Sequence, residues 1–343
     1  MTVLGPVAVA ELGRTLMHEH LLIRVPRFIE SDDPVVRARQ EAPVTLEHLG
    51  WIRQYWTWNF DNLVIDDADL AISELPSFAA AGGRTIVDLT LDEIGRDPRR
   101  LAYISRASGL HIVMGCGAYV ASAHAAWVRE AERDGIVERL LTEVERGVGG
   151  SGIRPGIIGE IGCSWPLDEV EARVLAAAAV AQGRTGLAIS VHPGRHVDAP
   201  AVIIDILESN GADLKRVIIG HIERTVPSPA GLEWVVSRGC SVAFDCFGLE
   251  TSYYPVPGVS NVVMPSDAQR LDLIRGLIDA GHGDRVLVSH DVCTKHRLAR
   301  YGGHGYGHLL ANVAPWMRER GFDDAELEAL FVRNPARLLA IAS

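Results

Sequence analysis

The sequence has no run of basic residues, and its formal net charge is −11. Nucleic-acid binding needs a local cationic patch, so that class is set aside. There is also no apolar run long enough for a bilayer. The most apolar stretch, VLAAAAVA at 174–181, sits beside charged residues and falls well short of the roughly 20 residues that a spanning helix takes. The opening MTVLGPVAVAELGR lacks the basic start and apolar core of a secretory signal. Cysteine is scarce: there are five, odd in number, with no C-x-x-C spacing. That argues against a cysteine zinc cage and fits a reducing cytoplasm. Cys116, Cys163, Cys246 and Cys293 fall just after candidate strands and are expected to be small buried fillers. Low-complexity segments and long Pro/Gly/Ser linkers are missing as well, so residues 1–343 are expected to form one domain.

What is present is a rhythm. Short runs rich in Val and Ile recur: TLMHEHLLI (15–23), RTIVDL (84–89), HIVMG (111–115), GIIGEI (156–161), LAISVH (187–192), RVIIGH (216–221), SVAFD (241–245) and RVLVSH (285–290). Their length and composition are those of buried strands. Segments with apolar residues at helical spacing lie between them: 127–147, ending on Gly147; 168–186, with Asp168 at the N-cap position; and 267–284. Strand and helix alternating eight times predicts an α/β fold, a (β/α)₈ TIM barrel, in preference to a doubly wound open sheet. The surplus length is an insertion after the first strand, residues 24–75, holding the aromatic segment WIRQYWTWNF (51–60). It is expected to serve as a lid, a subunit contact or a cap on the barrel.

Polar residues interrupt these apolar runs at their C-terminal ends. His18 and His20 are two apart, so in a strand both imidazoles face one side. Glu160 interrupts GIIGEIG, His192 ends LAISVH, His221 ends RVIIGH, and Asp291 follows RVLVSH. The C-terminal strand ends of such a barrel converge on one mouth, where catalysis occurs. Six ligand-type side chains from the first, fourth, fifth, sixth and eighth strands therefore meet there. Imidazole with carboxylate suits Zn²⁺, and also Mn²⁺, Fe²⁺ or Co²⁺. His290 and Glu19 alternate with ligands and should face away from the barrel interior. Tyr119, Tyr253 and Tyr254 are candidate pocket residues. Arg195, Arg224, Lys295, Arg297 and Arg300 lie just past strand ends and form a candidate cationic rim for a small anionic substrate. The glycines of ARYGGHGYGHLL (299–310) are expected to make close turns near the mouth, since no P-loop pattern is present.

These motifs, with MGCGAYV, IIGEIGCS, ISVHPG, IIGHIERT, the long VLVSHDVCTKHRLARYGGHGYGHLL and RNPARLL, resemble the phosphotriesterase family of the amidohydrolase superfamily. The last long segment is most similar to its phosphotriesterase-related branch. The resemblance implies two divalent metal ions, Zn²⁺ foremost, with His18, His20 and Asp291 on the buried ion, His192 and His221 on the exposed one, and Glu160 bridging. Glu160 replaces the carboxylated lysine of the best-known members. It also implies a metal-activated water as nucleophile, with Asp291 as the catalytic proton carrier. The expected activity is hydrolysis of a small anionic amide, ester or lactone, with an N-acyl amide favoured. Phosphotriester or phosphoester cleavage, lactone opening as the main activity, isomerase or decarboxylase chemistry, and a metal-binding barrel without turnover are the alternatives. The partner is a small molecule, with no nucleic acid and no membrane, and a homodimer is what the family suggests.

Overall fold

A computed structural model describes residues 1–251, 254–256, 259 and 262–341. Eight strands form a parallel sheet whose spatial order is the chain order. They are β1 (Arg14–Glu19), β2 (Gly83–Asp88), β3 (His111–Cys116), β4 (Ile157–Gly162), β5 (Ile189–His192), β6 (Val217–Ile219), β7 (Ser241–Phe244) and β8 (Val286–Val288). The last strand returns to the first: the Asp291 N–H donates to the His18 carbonyl at 3.1 Å, and the His18 N–H donates to Ser289 Oγ at 3.0 Å. The sheet is thus a nearly closed (β/α)₈ barrel, and the open-sheet alternative falls away. Each apolar run singled out in the sequence is one of these strands.

Alternation along the strands sorts the core into two layers. Met17, Val87, Leu89, Val113, Ile157, Ala188, Ile218, Ala243 and Leu287 pack with Leu338 and Leu339 of the C-terminal segment. The second and larger layer, including Leu16, Ile86, Ile112, Ile158, Ile189 and Val242, packs with helix side chains such as Leu101, Val174 and Ile203. Each fully buried Leu, Ile or Val contributes about 1.5–3 kcal/mol. Inside such a layer a polar side chain is tolerated only where it finds partners, and the site residues below are the exceptions that find them.

The helices follow local rules with two differences from the sequence expectation. Residues 168–186 give a helix over Glu169–Thr185, capped by Asp168 and Glu171 in a reciprocal box. The 127–147 pattern divides into Ala126–Glu130 and Arg133–Arg146, because Ala131 and Glu132 have extended backbones (ψ 135° and 163°). The 267–284 pattern stops at Asp279 and continues after a turn as a 3₁₀ segment, Gly283–Arg285. Among the described residues no helix is long and apolar enough to cross a membrane.

The insertion holds a two-stranded antiparallel ribbon, Ile23–Arg24 with Val64–Ile65, and helices Pro34–Glu41, Leu49–Gln54 and Ala68–Glu74. Thr57 Oγ1 and Trp58 Nε1 both donate to the Pro255 carbonyl, at 2.7 and 2.8 Å. Trp56 packs with Cys246, Leu249, Tyr254, Val262 and Met264. The aromatic segment therefore joins the segment after β7 in a roof over the mouth of the barrel.

Candidate metal centre

The six side chains read as ligands converge at the C-terminal mouth. Glu160, from β4, sits in the middle. Its Oε2 lies 3.5 Å from His18 Nε2, 2.9 Å from His192 Nδ1 and 3.4 Å from His221 Nε2, and its Oε1 lies 3.5 Å from His20 Nε2. Asp291 Oδ1 is 3.2 Å from His20 Nε2 and 3.9 Å from His18 Nε2. His18, His20 and Asp291 form one compact donor group, and His18, Glu160 and His221 form another.

His221 and Asp291 do not lie on strands. β6 ends at Ile219 and β8 at Val288, and both residues take left-handed backbones, with φ 47° and 55°. Such φ values are unfavourable for side chains with a Cβ and persist where surrounding contacts enforce them. Here the His221 N–H donates to both oxygens of Asp245, at 2.9 and 3.1 Å.

The ring protonation of three histidines follows from their outer partners. Asp245, fully buried at the end of β7, accepts from His18 Nδ1 at 2.8 Å and His221 Nδ1 at 2.7 Å. Burial opposes its charge, but His221 and His18 hold its carboxyl far below the ordinary range. A carboxylate only accepts, so both rings carry a proton on Nδ1 and turn Nε2 inward as the nitrogen that would face a metal ion. For His20, the Thr90 hydroxyl spends its one proton on the Leu22 carbonyl (3.0 Å), so it accepts from His20 Nδ1 at 2.9 Å. His20 Nε2 therefore faces inward too. His18 Nε2 has no hydrogen-bond partner although it is buried. The fourth histidine presents Nδ1 to the centre, and burial pushes its pKa down to about 3, against the pull of Glu160. Burial likewise opposes charge on Glu160, but His18 and His192 keep its carboxyl well below the usual range.

Four imidazole nitrogens and two ionised carboxylates aimed at one point, three of the imidazoles held from behind by an acid or a hydroxyl, suit divalent metal ions. The donor set therefore fits the group that the sequence implied. Asp245 stands behind His18 and His221. The acid ending SVAFD carried the same strand-end signal as the ligands, whereas Thr90 had no comparable signal. His290 does not touch the Asp291 carboxylate. It pairs with Glu19 (2.7 Å), on the far side of β1, where the alternation put both.

Above these six side chains lies a cavity of about 220 Å³. Tyr119, Arg195 and Arg224 line it, with an apolar wall that includes Phe28, Ile29, Trp56, Val256 and Met264. Tyr119 meets the His192 ring edge-on at 5.3 Å, and burial, with Glu160 nearby, pushes its phenol pKa well up, so it stays protonated. The Arg195 and Arg224 guanidiniums lie 5.1 and 5.8 Å from the Tyr254 ring centre. Arg224 is only 5% exposed; one of its nitrogens lies 3.4 Å from His192 Nε2 and another has no partner. Among the described residues no carboxylate forms an ion pair with Arg195 or Arg224.

The rest of the cationic rim lies elsewhere. Lys295 pairs with Asp61 at 2.5 Å, outside this cavity. Arg297 is buried and donates to backbone carbonyls, and Arg300 is exposed on a 3₁₀ turn away from the cavity lining. Tyr253 lies outside the described residues. Cys163, Cys246 and Cys293 line the cavity, whereas Cys116 is core filler. In the glycine stretch, Gly302 and Gly305 have φ of 80° and 63°, and a Cβ on Gly303 would lie 2.1 Å from the Arg297 backbone, so close turns are needed there.

The phosphotriesterase family model matches residues 1–339. N-acetyltaurine hydrolases from Dictyostelium discoideum and Homo sapiens are each 38% identical to this chain, covering 99% and 98% of it and 97% of their own lengths. Among solved structures, a resiniferatoxin-binding protein from Rhodobacter sphaeroides matches with 40% identity and a TM-score of 0.94, over 99% of this chain and 94% of that one. A lactonase from Listeria monocytogenes matches with 25% identity and a TM-score of 0.80, over 100% and 99%.

Proposed function

Since this chain belongs to the phosphotriesterase family and is a hydrolase, we propose that it cleaves the amide bond of a small N-acyl compound carrying an acidic group. In this reading His18, His20, Glu160, His192, His221 and Asp291 hold two divalent ions, Zn²⁺ or, among the alternatives, Mn²⁺, Co²⁺ or Fe²⁺. When bound, such ions lower the pKa of water and polarise an acyl oxygen.

The observation that carries the substrate class is Arg224. A buried guanidinium without a carboxylate is costly. Here it lines the cavity beside His192, and Arg195 also lies near the Tyr254 ring. An acid on the substrate supplies the missing partner through charge-assisted hydrogen bonds. A neutral phosphotriester leaves that charge unmet. The relatives' activity on N-acetyltaurine, an acyl amide ending in a sulfonate, agrees with this choice.

Asp291 is the proton carrier. Its side chain is 16% exposed and it lines the cavity, so it reaches substrate as well as His20. Water adds to the acyl carbon, the C–N bond breaks, and the proton that water gives up passes through the Asp291 carboxylate to the departing nitrogen. The products are a carboxylic acid and an amine. The apolar wall keeps bulk water from the reacting bond.

The test is a turnover series on Zn²⁺- and Mn²⁺-loaded protein with N-acetyltaurine, N-acetyl-β-alanine, a neutral N-alkylacetamide, a lactone and a neutral phosphotriester. The acidic amides should lead, with ¹⁸O from labelled water in the released acid. A preference for the neutral phosphotriester would overturn the substrate class. Normal turnover by Asp291→Asn would overturn the proton carrier.

A further inference from the structure

Asp291 holds an unfavourable backbone and has no strand ladder of its own, so something else must fix its carboxylate. Two buried side chains of opposite charge do so from opposite sides of the same short segment. Glu19, fully buried between His18 and His20, turns away from the candidate metal centre. Its Oε1 accepts from Ser289 Oγ (2.8 Å), the His290 N–H (2.8 Å) and His290 Nδ1 (2.7 Å), and its Oε2 accepts from the Val292 N–H (3.0 Å). The Leu309 N–H donates to His290 Nε2 at 3.0 Å, so the His290 ring proton lies on Nδ1, pointing at Glu19.

From the other side, Arg297 donates to the carbonyls of Asp291 (2.6 Å), His290 (2.5 Å) and Phe247 (2.9 Å). The Ser289 carbonyl accepts from the Phe247 N–H at 3.3 Å, and the Asp291 N–H reaches His18. From Ser289 to Asp291 each backbone N–H and C=O thus has a partner, and the two buried charges supply half of them. Glu19 and Arg297 form no ion pair with each other and spend their charge on this segment. Such charge-assisted bonds are shorter and stronger than neutral ones.

We propose that Glu19 and Arg297 are positioning residues that clamp the 289–292 segment and aim the Asp291 carboxylate at the reacting atoms. The inference rests on Asp291 as proton carrier. A small misplacement of such a group costs turnover while leaving substrate binding to Arg224 and Arg195 intact.

The experiment is a double-mutant cycle on the full-length, metal-loaded protein with N-acetyltaurine. It uses Glu19→Gln, Asp291→Asn, the double variant and, separately, Arg297→Lys. Gln keeps the Oε1 contacts but turns an N–H toward the Val292 N–H. Lys keeps the charge of Arg297 but not its fork. Each single clamp variant should lose roughly 10- to 100-fold in kcat, with KM within about twofold of the parent and unchanged metal content by elemental analysis. In the Asp291→Asn background, Glu19→Gln should cost nothing further, because both changes disable one device. Multiplicative losses in the double variant, a rise in KM alone, or unchanged kcat in both clamp variants would overturn the clamp. Normal turnover by Asp291→Asn alone would instead remove the proton carrier itself. If Glu19→Gln does not fold, Arg297→Lys with its own Asp291→Asn double variant completes the same cycle.

Discussion

At the scale of single residues, the centre depends on which ring nitrogen each histidine turns inward, and Asp245 decides that for two of them. Replacing Asp245 with Asn puts an amide N–H against one of the two Nδ1–H groups. One ring must then turn its proton inward, so metal affinity should fall by roughly 10- to 100-fold. Titration against a chromophoric chelator reads this directly, and parental affinity in that variant would contradict the assigned protonation. Arg224→Met removes the buried charge and keeps the bulk. The kcat/KM for acidic amides should fall by roughly 10- to 150-fold, the worth of a hydrogen bond to a charged group, while a neutral amide of the same size should not lose. Equal losses on both would mean that Arg224 shapes the cavity but does not read the anion. The sequence made the convergence of these six side chains legible because a His or Glu in an apolar strand end has few other reasons to be there. It did not sort the cations. Arg195 and Arg224 line the cavity, while Arg297, from a turn of the same general kind, is buried against carbonyls and Lys295 is paired with Asp61. Where a turn sends a long side chain depends on contacts distant in sequence, and Asp61 belongs to the insertion.

At the scale of elements, periodicity carried the strands and the long capped helix, and tertiary contacts set the rest. The 127–147 pattern is helical throughout in its apolar spacing, yet the chain extends at Ala131 and Glu132. β6 and β8 stop short because His221 and Asp291 leave the ladder to reach the centre. The Asp168 cap was legible, but the second duty of its partner was not. Glu171, fully buried, accepts not only from the Asp168 N–H but also from the N–H groups of Ala121 and Ser164 and the Ser164 hydroxyl. It ties the segments after β3 and β4, which carry Tyr119 and Ser164 of the cavity lining, to the helix that follows. Glu171→Ala leaves three backbone donors without their acceptor, each worth about 1–3 kcal/mol if unsatisfied. The variant should lose about 3 kcal/mol or more by chemical denaturation. A loss below about 1 kcal/mol, the size of an ordinary substitution, would show that water or a neighbour takes over the duty.

At the scale of the whole molecule, the six converging side chains come from β1, β4, β5 and the turns after β1, β6 and β8, so any ion bound there would tie together parts of the chain far apart in sequence. The β1–β8 seam is closed by few backbone bonds and by Glu19, whose bonds to residues 290 and 292 span sequence separations of 271 and 273. Metal binding should therefore appear in global stability as well as in turnover. An ion present at about 100 times its dissociation constant stabilises the folded state by about 2.7 kcal/mol. For a domain of this size that is a shift in Tm of a few degrees for each ion. Stripping the protein with a chelator should abolish turnover and lower Tm, and returning Zn²⁺ or Mn²⁺ should restore both. Glu160 has its carboxylate among all four histidines, so Glu160→Ala should bind at least one ion fewer than the parent, and its Tm should respond less to added metal. Two full equivalents retained by Glu160→Ala would contradict the bridge. Full turnover by protein proven metal-free would remove the metal centre from the mechanism, and the converging histidines would then need another explanation.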